Sequence, residues 1–232
     1  MRVVRNETTA KLVEVATFAE LLGALDQLRA EYAPARLVCT LDDVNQCLYT
    51  SAHASEDERI AYYGDENPEA EVAHVASALE NPEHGVEWQT LPGQRIGGGA
   101  DVAALVTVNS TPDRWLDDVV LVRRASVARD DLVIAAVPNG YFTSDWDTFQ
   151  NHAVIRRMAA HGYRHFGVGA SLLGFDRQEG LSESGARAVV ADLVHLYGAP
   201  DSASWVELAT VLTGARLLLL GYTENLPDLV ED

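Results

Sequence analysis

The feature that most restricts the fold of this chain is an alternation. Helix-spaced apolar runs closed by capping residues are separated by short runs rich in β-branched residues. Thr17-Phe18-Ala19-Glu20 has the form of a capping box, in which a hydroxyl and a carboxylate three residues apart satisfy each other's free backbone N–H groups. Phe18, Leu21, Leu22, Leu25 and Leu28 then recur at helical spacing until Tyr32-Ala33-Pro34 ends the run. Strands are predicted on either side, Lys11 to Val15 and Arg36 to Leu41, a βαβ-like opening whose strands are free to lie parallel.

The same pattern continues along the chain. Further helices are predicted from Asn67-Pro68 to Leu79, from about Asp147 to His161 with Ser144 or Asp145 as N-cap, from Glu183 to Tyr197 closed by Gly198, and from Trp205 to Thr213 with a Ser204–Glu207 capping box. Runs that read as strands are Gln46 to Thr50, Ile60 to Tyr63, Val86 to Leu91, Val102 to Val108, Val119 to Arg123, Leu132 to Val137, Tyr163 to Val168 and Arg216 to Leu220. Val119 to Val137 fits a hairpin turning near Arg129-Asp130-Asp131, and the tail from Thr223 to Asp232 reads as loose. Strand segments outnumber helices but alternate with them. The expected class is therefore α+β (mixed α/β), with a mixed sheet or two related sheets flanked by about five α-helices.

The 232 residues suit one globular domain, or an N-terminal subdomain 1–92 and a C-terminal subdomain 101–232 joined through PGQRIGGGAD, the stretch richest in turn residues. Two cysteines, Cys39 and Cys47, are too few for a disulfide framework and do not have zinc or redox spacing, so a reducing cytoplasm is the expected setting. MRVVRNETTAKL lacks the apolar stretch of a signal peptide, and LVCTL and RLLLLGY fall far short of the ~20 residues of a membrane span, so no membrane partner is expected.

Charge narrows the functional classes. The formal net charge is -18, from 35 acidic and 17 basic residues, which opposes binding to a phosphate backbone and argues against nucleic acid. Lys11 is the only lysine, so no other position offers a P-loop or Schiff-base lysine. GVGASLLGF, Gly167 to Phe175, follows a predicted strand, but its third glycine comes two positions late for a dinucleotide loop, and no helix begins directly after it. Its glycines are expected to permit close backbone packing or a bulge. His161 and His165 have metal-like spacing, but Gly162 breaks the helix between them and no cysteine accompanies them, so neither a metal nor a cofactor is expected.

Two stretches carry the candidate sites. From Asp42 to Glu87 twelve acidic residues stand against Arg59 alone, and Glu56, Asp57 and Glu58 form the densest run. Such a block attracts a cationic partner and speeds its encounter. The loop PNGYFTSDWDTFQ places Tyr141, Phe142 and Trp146 beside carboxylates, the residue types that anchor interfaces. The leading expectation is a non-catalytic acidic binding protein that engages a basic protein partner through these residues. Immunity proteins and secretion chaperones have this character, a comparison by charge and size alone. The alternative is an enzyme or small-molecule binder with its pocket between the Asn139–Asp147 loop and the Gly167–Ser171 turn, where Asp145 or His152 would reach Ser171.

Overall fold

A computed structural model describes residues 1–5, 9–91, 96–224 and 226–231, and residues 92–95 of the expected inter-subdomain stretch lie outside the described residues. Seven strands form one mixed sheet: β1 (Arg2–Arg5), β2 (Thr9–Val13), β3 (Arg36–Thr40), β4 (Val119–Ala125), β5 (Arg164–Val168), β6 (Leu172–Asp176) and β7 (Leu217–Gly221). Their order is β1-β2-β4-β3-β5-β6-β7. Only the central pair, β3 and β5, is parallel, and every other neighbour is antiparallel. The sheet thus interleaves strands from both sides of the 92–95 stretch. The fold is α+β, as the alternation predicts.

β2 and β3 do run in the same direction, but they are not neighbours, because β4 inserts between them. The central strands are buried along most of their length. Leu37, Val38, Cys39, Phe166 and Val168 are all buried, as expected of strands covered on both faces.

Among the described residues there are eight α-helices, and helix outweighs strand, 49% to 16%. Four helices match their predicted caps or spacing: α1 (Phe18–Tyr32), α3 (Pro68–Glu80), α5 (Thr148–Ala160) and α6 (Glu183–Tyr197). In α1 the Thr17 hydroxyl accepts from the Glu20 N–H at 3.2 Å, while the Glu20 carboxylate reaches back to the N–H of Ala16 at 3.1 Å. The cap of α5 is Asp147 rather than Ser144 or Asp145. It forms a reciprocal box with Gln150, both bonds being 2.8 Å.

The excess helix comes from segments that read as strands. Gln46 to Thr50 lies inside α2 (Val44–Ala54), where Cys47, Thr50, Ser51 and Ala54 are buried at helical spacing and Asp43 caps the N–H of Gln46. Val102 to Val108 lies inside α4 (Gly99–Ser110), packed on β7, α7 (Ser204–Leu212) and α8 (Leu226–Glu231). Asn109 of α4 bonds both the N–H and the carbonyl of Leu219, each at 2.9 Å, and so occupies hydrogen-bonding groups along β7 at the sheet edge. Leu132 to Val137 is no hairpin strand. Asp130–Ala136 is a 3-10 helix with Leu132 to Ala136 buried, in contact with β3, β4 and β5 and with α3 and α5. Trp88–Thr90 is a 3-10 turn, and Ile60 to Tyr63 forms no strand. α7 lacks the expected Ser204–Glu207 box, and the Ser202 hydroxyl accepts from the N–H of Ser204 instead. α8 occupies the tail that reads as loose, with Leu226 seated against Gly221.

The glycine stretch resolves as the β5–β6 hairpin. A Cβ on Gly167 or Gly174 would come within 3 Å of the Leu41 side chain, so these glycines let β3 and its C-terminal extension close down on the hairpin. The register also shifts between His165 and Gly167, the bulge that the sequence allows.

Candidate functional site

α2 buries one face and presents Tyr49 and His53, one helical turn apart, on another. The His53 ring lies 4.5 Å from Tyr49 and is stacked at 4.8 Å on Tyr141, which in turn meets Phe142 at 5.4 Å. Four rings from two distant segments therefore form one row. Tyr49 is 52% exposed, and Tyr141 and Phe142 are each 46% exposed, well beyond what a core aromatic shows.

The loop that carries Tyr141 and Phe142 is held at its base. Asn139 is fully buried, and its amide donates to the Cys47 carbonyl at 3.5 Å and the Gly169 carbonyl at 3.4 Å. Gly140 has φ +94, and a Cβ there would stand 1.9 Å from the Trp146 carbonyl, so the chain passes itself at a distance only glycine permits. The Asp145 N–H bonds the Phe142 carbonyl at 3.0 Å and closes the turn that projects the two aromatics.

Glu56, Asp57 and Glu58 follow the end of α2 and border a cleft of about 540 Å³ that also takes in His53, Tyr141 and Asp147. The structure thus brings the acidic run and the aromatic loop together. Their roles differ, however. Asp57 is held by Arg59, whose guanidinium also bonds Asp147 at 2.9 Å and lies 4.2 Å over the Phe149 ring. The Arg59 hydrogen bonds draw the Asp57 carboxyl below its ordinary range, so it is a partnered structural carboxylate. Glu56 and Glu58 meet no arginine among the described residues, and Glu56 lies 3.4 Å from His53 Nδ1. They are the carboxylates of the run that no arginine holds.

Trp146 departs from its expected role. It is 1% exposed, its ring lies 5.5 Å from Tyr197, and its backbone N–H bonds the Tyr222 carbonyl. It is a core residue, closed off from any partner in this conformation. The wider acidic block is also trimmed by the fold. Arg124 pairs with Glu69 at 3.0 Å and Arg129 with Glu80 at 2.6 Å, while Asp42 is buried.

The two segments of the alternative pocket do meet, but they are bonded to one another. The Tyr222 hydroxyl donates to the Gly169 and Ala170 carbonyls at 2.8 and 2.9 Å, and the Asn139 amide reaches Gly169 from the other side. Ser171 meets neither Asp145 nor His152. Its N–H donates to Asp42 at 2.8 Å, and His152 lies 3.2 Å from Asp131. Burial raises the Asp42 carboxyl to about 7 against the opposing Ser171 hydrogen bond, and its second oxygen has no partner among the described residues. Burial and then the charge of Glu224 raise Asp145 to about 7. Burial pushes the Cys47 thiol up to about 12, so it stays protonated, donating to the Val168 carbonyl at 3.2 Å, and is a poor nucleophile.

The paired-histidine spacing also separates in space. His161 bonds Asp192 at 2.5 Å, whereas His165 is buried against the Gly174 carbonyl and driven down to about 3 by desolvation. Among the described residues no group of three or more His, Cys, Asp or Glu is placed to hold a metal, and no helix is long and apolar enough to cross a membrane. Compared with protein-family models, with curated proteins and with solved structures, the chain matches none.

Tyr49, His53 and Arg59 are the site residues that the sequence reading missed. The signal was the i, i+4 spacing of Tyr49 and His53, which has meaning only on a helix, whereas Gln46 to Thr50 reads as a strand and His53 falls in the polar stretch after it.

Proposed function

We propose that the chain is a non-catalytic binding protein that docks a basic protein partner, of the immunity-protein or chaperone kind, on the surface formed by Tyr49, His53, Tyr141 and Phe142 with Glu56 and Glu58. The observation that carries this reading is the row of exposed rings bordered by carboxylates that no arginine neutralises. Aromatic faces attract Arg and Lys side chains, and contacts of that kind are worth from about 0.5 kcal/mol where exposed to about 2 kcal/mol where desolvated. Carboxylates at the rim that no arginine holds steer a cationic partner and fix its approach. Asp57 and Arg59 hold the cleft in shape, and Trp146 anchors the loop from below.

The test places the photo-crosslinker p-benzoylphenylalanine at Tyr49 and follows capture in cells and in extract. Crosslinks are expected on Arg- and Lys-rich segments. Their yield should fall when Glu56→Lys and Glu58→Lys are combined, and again between about 0.05 and 0.5 M salt. Capture that ignores both the charge reversal and the salt overturns the reading.

A further inference from the structure

The other side of α2 borders a second cleft, of about 640 Å³, between α2, the start of α3, β4 and the 3-10 helix. Its size is that of a small-molecule site, and Leu48, Ala52, Leu121, Ala135 and Pro138 give it an apolar lining. Two arginines reach it. Arg124 is taken by Glu69 at 3.0 Å, but Arg123 donates only to the Ala136 carbonyl, at 3.0 Å, and no carboxylate pairs with it among the described residues. Arg123 is half-buried, and this isolation is unusual in a chain with 35 acidic residues. Arg29, Arg36, Arg59 and Arg164 are also half-buried, and each holds a carboxylate; Arg177, half-buried and likewise without one among the described residues, instead lies over the Tyr163 ring at 5.4 Å. A guanidinium taken partly out of water without a counter-anion is costly, and its five N–H donors form a planar fork suited to a carboxylate. Beside it Ser51, 4% exposed, lines the cleft with a hydroxyl that bonds no group among the described residues.

We infer that this cleft is a binding site for a small monocarboxylate with an apolar body, its carboxylate on Arg123 and Ser51 and its hydrocarbon part against Leu48, Leu121 and Ala135. One unpaired cation matches one negative charge. Glu71 on the rim opposes a phosphate or dicarboxylate, which would bring a second charge. The site is independent of the docking surface, since it uses the opposite flank of α2.

Benzoate and hexanoate are the probes, titrated into the whole protein by calorimetry and by amide NMR, with benzamide and hexanol as neutral counterparts. Both acids are expected to bind and to shift the amides of Leu48, Ser51 and Arg123, and the neutral pair is expected to bind at least about tenfold more weakly. Arg123→Gln should weaken benzoate at least about tenfold, with an unchanged circular dichroism spectrum confirming the fold. Ala52→Phe, which fills the cleft from an exposed helix position and keeps Arg123, should block binding as well. The assignment fails if neither acid binds at ~10 mM, if benzamide equals benzoate, or if binding survives both substitutions.

Discussion

Within one short loop the chain exposes Tyr141 and Phe142 and buries Trp146, although all three are large aromatics of the same stretch. The difference lies in what the backbone around each is bonded to. The Phe142 carbonyl closes a local turn with Asp145, so the tip of the loop points outward. Trp146 is tied by its N–H to Tyr222 and by its carbonyl to the Asn151 amide at 3.0 Å, so the same loop dives into the core four residues later. Side-chain type therefore says little about whether a loop aromatic recognises a partner or packs. The neighbouring backbone partners decide it.

The sharpest way to break this contrast is to truncate both halves. Trp146→Ala should cost about 3–5 kcal/mol, as full removal of a buried aromatic does, and Tyr141→Ala should stay within about 0.5 kcal/mol. Urea unfolding reads both, and similar losses would erase the distinction. Next in size is a pH effect centred below the buried half. Asp42 has an ordinary value of 3.8, raised by burial to about 7, so the native state binds its proton more tightly than the unfolded chain does. Its contribution is fully present below about pH 4 and is lost as pH rises from there through about 7, on the order of 4 kcal/mol in all. Asp145 is raised in the same direction, and its contribution falls over the same window. Asp42→Asn keeps an acceptor for Ser171 and should flatten the fall in melting temperature between about pH 4 and 7; an unaltered slope would remove Asp42 as its source.

A smaller effect tests the joint between the halves. Gly140→Ala places a Cβ against the Trp146 carbonyl at positive φ and should destabilise by about 1–3 kcal/mol while lowering partner capture, because the turn must shift. If stability falls and capture does not, the outer half of the loop is set independently of the inner one. Smallest is Asp57→Asn, which loosens a partly exposed pair with Arg59 and should cost less than about 1 kcal/mol in thermal unfolding.

Much of the helical skeleton was legible, because caps are local chemistry. Thr17 and Asn67 each accept the N–H bonds that their positions imply, and Gly198 ends α6 at positive φ. α4 and the 3-10 helix were not legible as such. Val102 to Val108 and Leu132 to Val137 are nearly continuous apolar runs; the exposed side of the first is itself small and apolar at Ala103, and the second is buried throughout, so neither has a polar face to reveal its period. β2 beside β4 was likewise hidden, since strand order depends on pairing across the whole chain. The acidic run and the aromatic loop were each visible in sequence, but their juxtaposition was not. It rests on Asn139 reaching Cys47 of α2, a contact between residues far apart along the chain. The Arg59 bridge to Asp147 was hidden for the same reason.

The strand order has a consequence for synthesis. β3 is complete once Thr40 has been made, yet its two neighbours, β4 and β5, end at Ala125 and Val168. A nascent chain emerging from the ribosome must hold this oily central strand without its permanent partners until most of the polypeptide has been translated, which predicts slow, late closure governed by long-range pairing. The acidic stretch that follows β3, Glu56 to Glu58 and the glutamates of α3, leaves the ribosome before β4 and would keep that waiting segment dispersed in water.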